Sequence, residues 1–296
     1  MTRAPKPPTE ILRGSRHHEA FLAHNLATRD ARAALVMFAH ERRYYAELMP
    51  DFRGRAVLDL ACGSGIHSQA WAEAGARVIG VDFDPSLLGL ARRRLEDAGR
   101  PGGGWSCGDA VRLPLRSASF DLCYCNSLIE HTPDWRAVVA EAARVLKPGG
   151  VLVIYTTNRD CPMQAEVNHF PFYSWLPAAV KRRVMAWIME HRRDLVNYTD
   201  FPAVNWFTFP GLKRELDRRG LDAYDRLDLI ARRRDGPIPR LLRLAERFAP
   251  LKWPYRLYAV SIALYAVKRL DRPGSGVPNG PEKPPAAWEN PHESAS

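Results

Sequence analysis

The chain has 296 residues, 46% of them hydrophobic, which is enough to bury a core and too apolar for a wholly disordered chain. Its first thirty residues carry Arg3, Lys6, Glu10, Arg13 and Arg16 with no continuous apolar run, so no signal peptide or N-terminal anchor is read and a cytoplasmic location is expected. Five cysteines (Cys62, Cys107, Cys123, Cys125, Cys161) include no C-x-x-C pair and no His/Cys cluster at zinc spacing, so reduced thiols and no metal site are expected.

The net charge of +10 is unevenly placed. Residues 51–157 balance 12 Lys and Arg against 12 Asp and Glu, whereas residues 158–272 set 22 against 13. The excess therefore concerns a substrate, a partner or a surface more than the first half of the chain.

In chain order, residues 16–48 predict one or two helices, with Phe21, Leu22, Leu26, Leu35, Phe38 and Tyr45 as the apolar positions, and Pro50 closes a segment of about fifty residues. Short apolar runs then alternate with helical patterns: Ala56–Leu60, Ile66–Ala74, Arg77–Val81, Pro85–Ala98, Trp105–Cys107, Phe120–Asn126, Asp134–Leu146 and Val151–Tyr155. That alternation predicts an α/β, Rossmann-like doubly wound and mostly parallel sheet over residues 51–157. Gly75 reads as a helix stop, Thr132-Pro133 as an N-cap and first-turn proline, and Lys147-Pro148-Gly149-Gly150 as the turn from helix to strand.

From residue 158 the alternation gives way to an aromatic and proline-rich stretch with Phe170, Phe172, Tyr173 and Trp175, read as an insertion that shapes a substrate pocket. Pro210–Gly220 predicts a helix, Leu221–Ile230 a strand that extends the sheet, and Pro239–Phe248 and Trp253–Leu270 two helices of a C-terminal substrate region ending near residue 271. Residues 272–296, rich in Pro, Gly, Glu and Ser, predict a disordered tail.

The chemistry concentrates in Val57-Leu58-Asp59-Leu60-Ala61-Cys62-Gly63-Ser64-Gly65-Ile66-His67, a strand, a glycine-bearing turn and a helix start. Gly63 and Gly65 allow close backbone approach, and the helix N-terminus offers unpaired N–H groups to a ligand. Asp82, 23 residues after Asp59, ends the second strand where a carboxylate accepts hydrogen bonds from ribose hydroxyls, with Phe83 beside it. A dinucleotide fingerprint fails at its third position, which holds Ser68 in one register and Ile66 in the other. Asp59 also sits where a pyrophosphate would approach, an unfavourable neighbour for phosphate charge and a favourable one for the ammonium of S-adenosylmethionine. The bland alternative is that Asp59 only bridges a turn.

With Val81-Asp82, Gly108-Asp109-Ala110, Phe120-Asp121-Leu122, Asn126-Ser127-Leu128 and Arg144-Val145-Leu146-Lys147-Pro148-Gly149-Gly150, this segment resembles the class I S-adenosylmethionine-dependent methyltransferases, in particular the branch with ubiquinone and menaquinone biosynthesis methyltransferases. The resemblance covers a little over a third of the chain. It implies that Asp59, Ala61, Gly63 and Gly65 surround the methionyl part of the cofactor and that Asp82 meets the ribose. It further implies that Asp109 and Ala110 contact the adenine and that Asn126 lies beneath the transferred methyl. Ala61 departs from the usual glycine.

Methyl transfer from a sulfonium is an in-line displacement that positioning and desolvation can largely carry. A general base, where needed, belongs near the strand ends, which makes His131 the first candidate, Glu130 its neighbour and His169 of the aromatic stretch the third. Each has a structural alternative as a loop tether. Nucleic acid is a disfavoured substrate: the segment after the fourth strand reads Asn126-Ser127-Leu128-Ile129 rather than an Asn or Asp followed by two prolines and an aromatic, and no Pro-Cys pair is present. Basic and apolar residues interleave in Ala178–Arg193 and Arg240–Phe248, and residues 257–267 form an apolar run too short to span a bilayer. These features predict a small or lipid-like acceptor and a peripheral membrane contact, with a buried helix as the alternative for 257–267. The rival functions are a dinucleotide-dependent oxidoreductase or epimerase and a non-catalytic S-adenosylmethionine-binding protein; oligomeric state is not legible.

Overall fold

Aliphatic runs bounded by glycine, proline and charged residues form a sheet buried on both faces. The computed structural model describes residues 31–100, 102–163, 167, 170–192, 195–196, 203–232 and 252–270. Helix α1 (Ala31–Leu48) precedes β1 (Ala56–Leu60), α2 (Ile66–Glu73), β2 (Arg77–Asp82), α3 (Pro85–Asp97), β3 (Gly104–Cys107), β4 (Phe120–Asn126), α4 (Trp135–Val145) and β5 (Leu146–Thr157). A 3₁₀ turn at Tyr173–Trp175 leads to α5 (Ala178–His191), α6 (Phe209–Arg218), β6 (Leu221–Tyr224), α7 (Arg226–Arg232), α8 (Trp253–Tyr258) and β7 (Ser261–Lys268).

The seven strands lie in the order β3-β2-β1-β4-β5-β7-β6. Strands β1 to β5 pair in parallel and β7 runs antiparallel between β5 and β6. From β1 the chain winds outward through β2 and β3, and from β4 it winds the other way. The carboxyl ends of β1 and β4 therefore flank the topological switch point, where open α/β sheets leave a crevice for ligands.

Four expectations require correction. Trp253–Leu270 is not one helix: after α8 the apolar run becomes β7, with Ile262, Ala263, Leu264, Tyr265 and Ala266 all buried. A strand covered on both faces reads as a continuous apolar run, which periodicity alone cannot distinguish from a helical segment. From Ser261 on, the run is thus a buried strand and not a helix. Leu221–Ile230 is strand only to Tyr224; Asp225 accepts from the Asp228 amide (2.8 Å) and opens α7. Lys147-Pro148-Gly149-Gly150 lies within β5 as an irregularity: Phe120 pairs with Leu146 and Leu122 already with Val151, while Gly149 takes φ +77°. The cap of α4 is Asp134, whose carboxylate accepts from the Ala137 amide, and the Thr132 hydroxyl donates to the Leu128 carbonyl (3.1 Å) instead.

Helix α1 is tied to the sheet by packing and by charge. Phe38 and Tyr45 bury their rings against Trp71. One turn away, the buried Glu41 carboxylate accepts from the hydroxyls of Tyr155 (2.9 Å) and Tyr265 (2.8 Å) and from Arg226 (2.7 Å). Expectations for Phe21, Leu22, Leu26, Pro239–Phe248 and 272–296 lie outside the described residues. Among the described residues no helix is long and apolar enough to cross a membrane.

Candidate functional site

Asp59 occupies the penultimate position of β1, level with Gly80 of β2 and Tyr124 of β4. The chain then turns through Ala61 (φ +59°), Gly63 (φ +52°) and Gly65 (φ +76°) before α2 begins. The two glycines serve different needs. A Cβ on Gly65 would lie 2.7 Å from the Ala91 Cβ, so this glycine lets the loop close onto α3. A Cβ on Gly63 would meet nothing within 4 Å, so only its left-handed backbone demands glycine. Ala61 takes the same left-handed conformation with a Cβ, at a cost of roughly 1–2 kcal/mol.

The loop is fastened to the end of β2. Gly63 donates its amide to one Asp82 carboxylate oxygen (2.8 Å), and Asp84 donates to the other (3.0 Å). Each oxygen keeps a further lone pair for a ligand hydroxyl. Burial raises the Asp82 pKa, while these amide donors oppose the rise. Asp84 in turn caps α3 by accepting from the Ser86 amide.

Beneath the loop Asp59 is 3% exposed and accepts from the Ser68 hydroxyl at 2.5 Å. Burial pushes its pKa up to about 7, with the Ser68 hydrogen bond opposing and the Asp82 charge adding to the rise. His67, its ring tilted against Tyr124 with centres 5.0 Å apart, supplies no countercharge, because burial lowers its pKa to about 4. Two buried carboxylates therefore act on one another, an arrangement that a cation relieves.

At the end of β3, Cys107 lies level with Asp82, its thiol donates to the Phe83 carbonyl (3.5 Å), and Gly108 donates to the Asp82 carbonyl (3.0 Å). Asp109 follows on the same end of the sheet, exposed, its carboxylate accepting from the Val111 amide (3.0 Å); Ala110 is half-buried against the core and Phe83 is half-buried beside the crevice. The structure thus gathers Asp59, Ala61, Gly63, Gly65, Asp82, Phe83, Asp109 and Ala110 at the carboxyl ends of three adjacent strands.

Residues 58–154 match the family model described as a methyltransferase domain. Over this third of the chain the sequence is therefore similar to methyltransferase domains. The chain is 33% identical over 169 residues to a ubiquinone biosynthesis O-methyltransferase of Idiomarina loihiensis, covering 54% of this chain and 65% of that protein. It is 36% identical over 119 residues to the protein of the same description from Coxiella burnetii, covering 40% and 50%. The chain spans between half and two-thirds of the length of these relatives. The YcgJ protein of Bacillus subtilis shares the fold, with a TM-score of 0.50, 16% identity and coverage of 78% of this chain and 99% of that one.

On the other side of the switch point, Asn126 ends β4 level with Tyr155, and Ser127 at φ +52° turns the chain while donating its amide to the Tyr155 carbonyl. Glu130 is 1% exposed and accepts from the Thr156 hydroxyl (2.8 Å). Its backbone carbonyl accepts from the amides of Val204 and Asn205, so this residue braces the loop against the segment that leads to α6. His131 is half-buried, its amide bonded to the Leu128 carbonyl. His169 lies outside the described residues.

Several members of the constellation escape a reading of motifs. Ser68, the residue that spoils the dinucleotide pattern, is the hydrogen-bond partner of Asp59. Gly80 makes room for its neighbours, since a Cβ there would lie 2.5 Å from the Trp105 ring and 2.8 Å from the Cys62 sulfur; a lone glycine inside a strand was its available signal. Asn205 donates to the carbonyls of Ile129 (3.0 Å) and Thr132 (2.8 Å), and its own carbonyl accepts from the Thr157 hydroxyl (2.9 Å). No local pattern announces it.

Proposed function

We propose that the protein transfers a methyl group from S-adenosylmethionine to a hydroxyl oxygen of a small, lipid-like acceptor. The observation that carries this reading is the pair Asp59 and Asp82 at the ends of β1 and β2, on either side of a loop whose left-handed residues leave its upper surface open. The donor set fits a ligand with an ammonium at one end and ribose hydroxyls at the other. In this reading Asp59 counters the methionyl ammonium, Asp82 accepts from the ribose, Asp109 and Ala110 border the adenine, and Asn126 lies beneath the methyl. The bound cofactor supplies an electrophilic methyl on sulfur. The chain's own part is to align the acceptor, exclude water and take up the hydroxyl proton; His131 is our candidate for the last role, supported by its position after β4, with buried Glu130 as the brace of its loop. The oxygen class follows the description of the relatives, O-methyltransferases of ubiquinone biosynthesis.

Calorimetry with S-adenosylmethionine and its demethylated product tests the reading. Wild type binds in the micromolar range, roughly −8 kcal/mol, and Asp82→Ala binds about tenfold or more weakly. A wild type that binds a dinucleotide and neither of these ligands sinks the methyltransferase reading.

The segment 158–270 supplies the acceptor side, and part of it supports contact with an anionic membrane surface. On α5, Met185 and Ile188 are buried, so that much of the helix packs inward, but Trp187 is 53% exposed alongside exposed Arg182 and Arg183. Phe172 (52% exposed) and Trp175 (51%) pair at 5.0 Å just before it. Aromatic rings with flanking arginines suit a headgroup boundary. Sedimentation with vesicles is expected to be stronger with anionic than with neutral lipid and reduced in Trp175→Ser/Trp187→Ser; equal recovery with both lipids counts against it.

A further inference from the structure

Beyond the end of β5 the chain collects cations for which methyl transfer alone gives no reason. Asn158, fully buried, donates through its side-chain amide to the carbonyls of Arg256 and Ala259, both at 2.6 Å, and so fixes α8 over the strand end. Arg159 follows, exposed, its amide held by the Phe207 carbonyl (2.7 Å). Lys181 of α5 joins them: its ammonium lies 4.1 Å from the centre of the Trp206 ring and donates to the Ser174 carbonyl (3.3 Å). Ser174 is itself bonded to the Cys161 carbonyl (2.9 Å), two residues past Arg159.

These charges are close enough to act on one another. Burial lowers the Lys181 pKa and the Arg159 charge lowers it further. The carboxylate among them is Asp160, which feels both Arg256 and Arg159, yet burial still raises its pKa. Arg159 thus acts on both Lys181 and Asp160, and Arg256 acts on Asp160. Arg256 is the most constrained of them: its guanidinium lies 5.9 Å from the centre of the Phe209 ring, and its Nε–H is buried with no hydrogen-bond partner among the described residues. A buried donor left unsatisfied costs about 1–3 kcal/mol. An anion bound beside the group relieves the repulsion between Arg159 and Lys181.

The place suits an acceptor. Asn126, beside the methyl in the reading above, is level with Tyr155, and Asp160 lies five residues further along the chain. At ~3.3 Å per residue the cationic group stands within roughly 17 Å of Tyr155, the length of a small amphipathic molecule. Phe209, fully buried, and Trp206, half-buried, pack against these side chains. We propose that Arg256, with Arg159 and Lys181, binds an anionic group on the methyl acceptor, a carboxylate or a phosphate monoester. The proposal rests on the methyltransferase reading and names its substrate class more narrowly.

The test uses the full chain saturated with the demethylated cofactor, titrated calorimetrically with 4-octylbenzoate, 4-octylphenyl phosphate and the neutral 4-octylbenzamide. A charge-assisted contact to a partly buried arginine predicts that at least one anion binds about tenfold or more tighter than the amide. Which anion does so separates carboxylate from phosphate recognition. In Arg256→Gln the margin collapses while amide and cofactor affinities stay unchanged. Arg159→Gln, an exposed position whose replacement leaves the fold intact, reduces the margin in part, and Arg256→Lys retains some of it. Equal affinity for anions and amide, no binding of any of the three, or a margin untouched in both glutamine variants overturns the proposal and leaves the methyltransferase reading standing. Failure of the wild type to bind the cofactor removes that reading instead.

Discussion

Asp59 carries a conflict between stability and ligand binding that pH exposes. Its carboxyl has a pKa near 3.8 unfolded and about 7 in the folded chain, because burial disfavours the charge. A group shifted in this direction favours the folded state fully below the unfolded value, and that contribution is lost as pH rises through about 7. Cofactor binding runs the other way. If the ammonium needs the ionised form, about a tenth of the protein is competent at pH 6 and about nine-tenths at pH 8, so affinity rises nearly tenfold across that window. Calorimetry from pH 6 to 8 checks this, and Asp59→Asn is expected to bind weakly with no pH dependence. The same variant keeps an acceptor for Ser68 without a buried charge, so at pH 8 the ligand-free protein gains on the order of 2 kcal/mol in denaturant unfolding. A variant that loses both stability and affinity would identify Asp59 as a structural bridge.

Among elements, the loop after β4 and the segment before α6 form one unit through Asn205. Its side chain satisfies two loop carbonyls and its backbone meets Glu130 and Thr157. Asn205→Ala leaves those carbonyls to water and is expected to lower stability by about 1–2 kcal/mol. In the proposed function the effect is selective: acceptor turnover is expected to fall while cofactor affinity, which that proposal assigns to the loop after β1, holds. Parallel binding and turnover assays read the split.

Such pairings also mark what the sequence could and could not disclose. Strands β1, β2 and β4 were legible as short, largely apolar runs, closed by Asp82 in β2 and by Asn126 in β4, and the candidate cofactor residues followed, since they sit at or just beyond the strand ends. Strand β7 was not, because burial on both faces erases the alternation that identifies a strand. Ser68, Asn205 and Glu41 were silent for a different reason: each is an ordinary polar residue whose role is made by a partner at least nine residues away in the chain, up to 224 in the case of Glu41 and Tyr265.

At the scale of the whole molecule, the sheet is assembled out of chain order. Strand β5 meets β7, which is more than a hundred residues later, and among the described residues β6 pairs with β7 alone. Contacts of such sequence separation form slowly, because loop closure precedes their reward. Pulse-labelled hydrogen exchange during refolding is expected to protect the amides of β1, β2 and β4 before those of β6 and β7. Simultaneous protection of all strands would show that the sheet closes as one cooperative unit.

The position of β7 carries a consequence for synthesis. A chain emerging from the ribosome displays Asp59, Asp82 and their loop long before residue 261 is available, and until then the β5 edge and the surface that supports the acceptor side are incomplete. In the proposed function the nascent protein acquires a cofactor site first and an acceptor site last, so that it is a ligand-binding fragment before it is an enzyme.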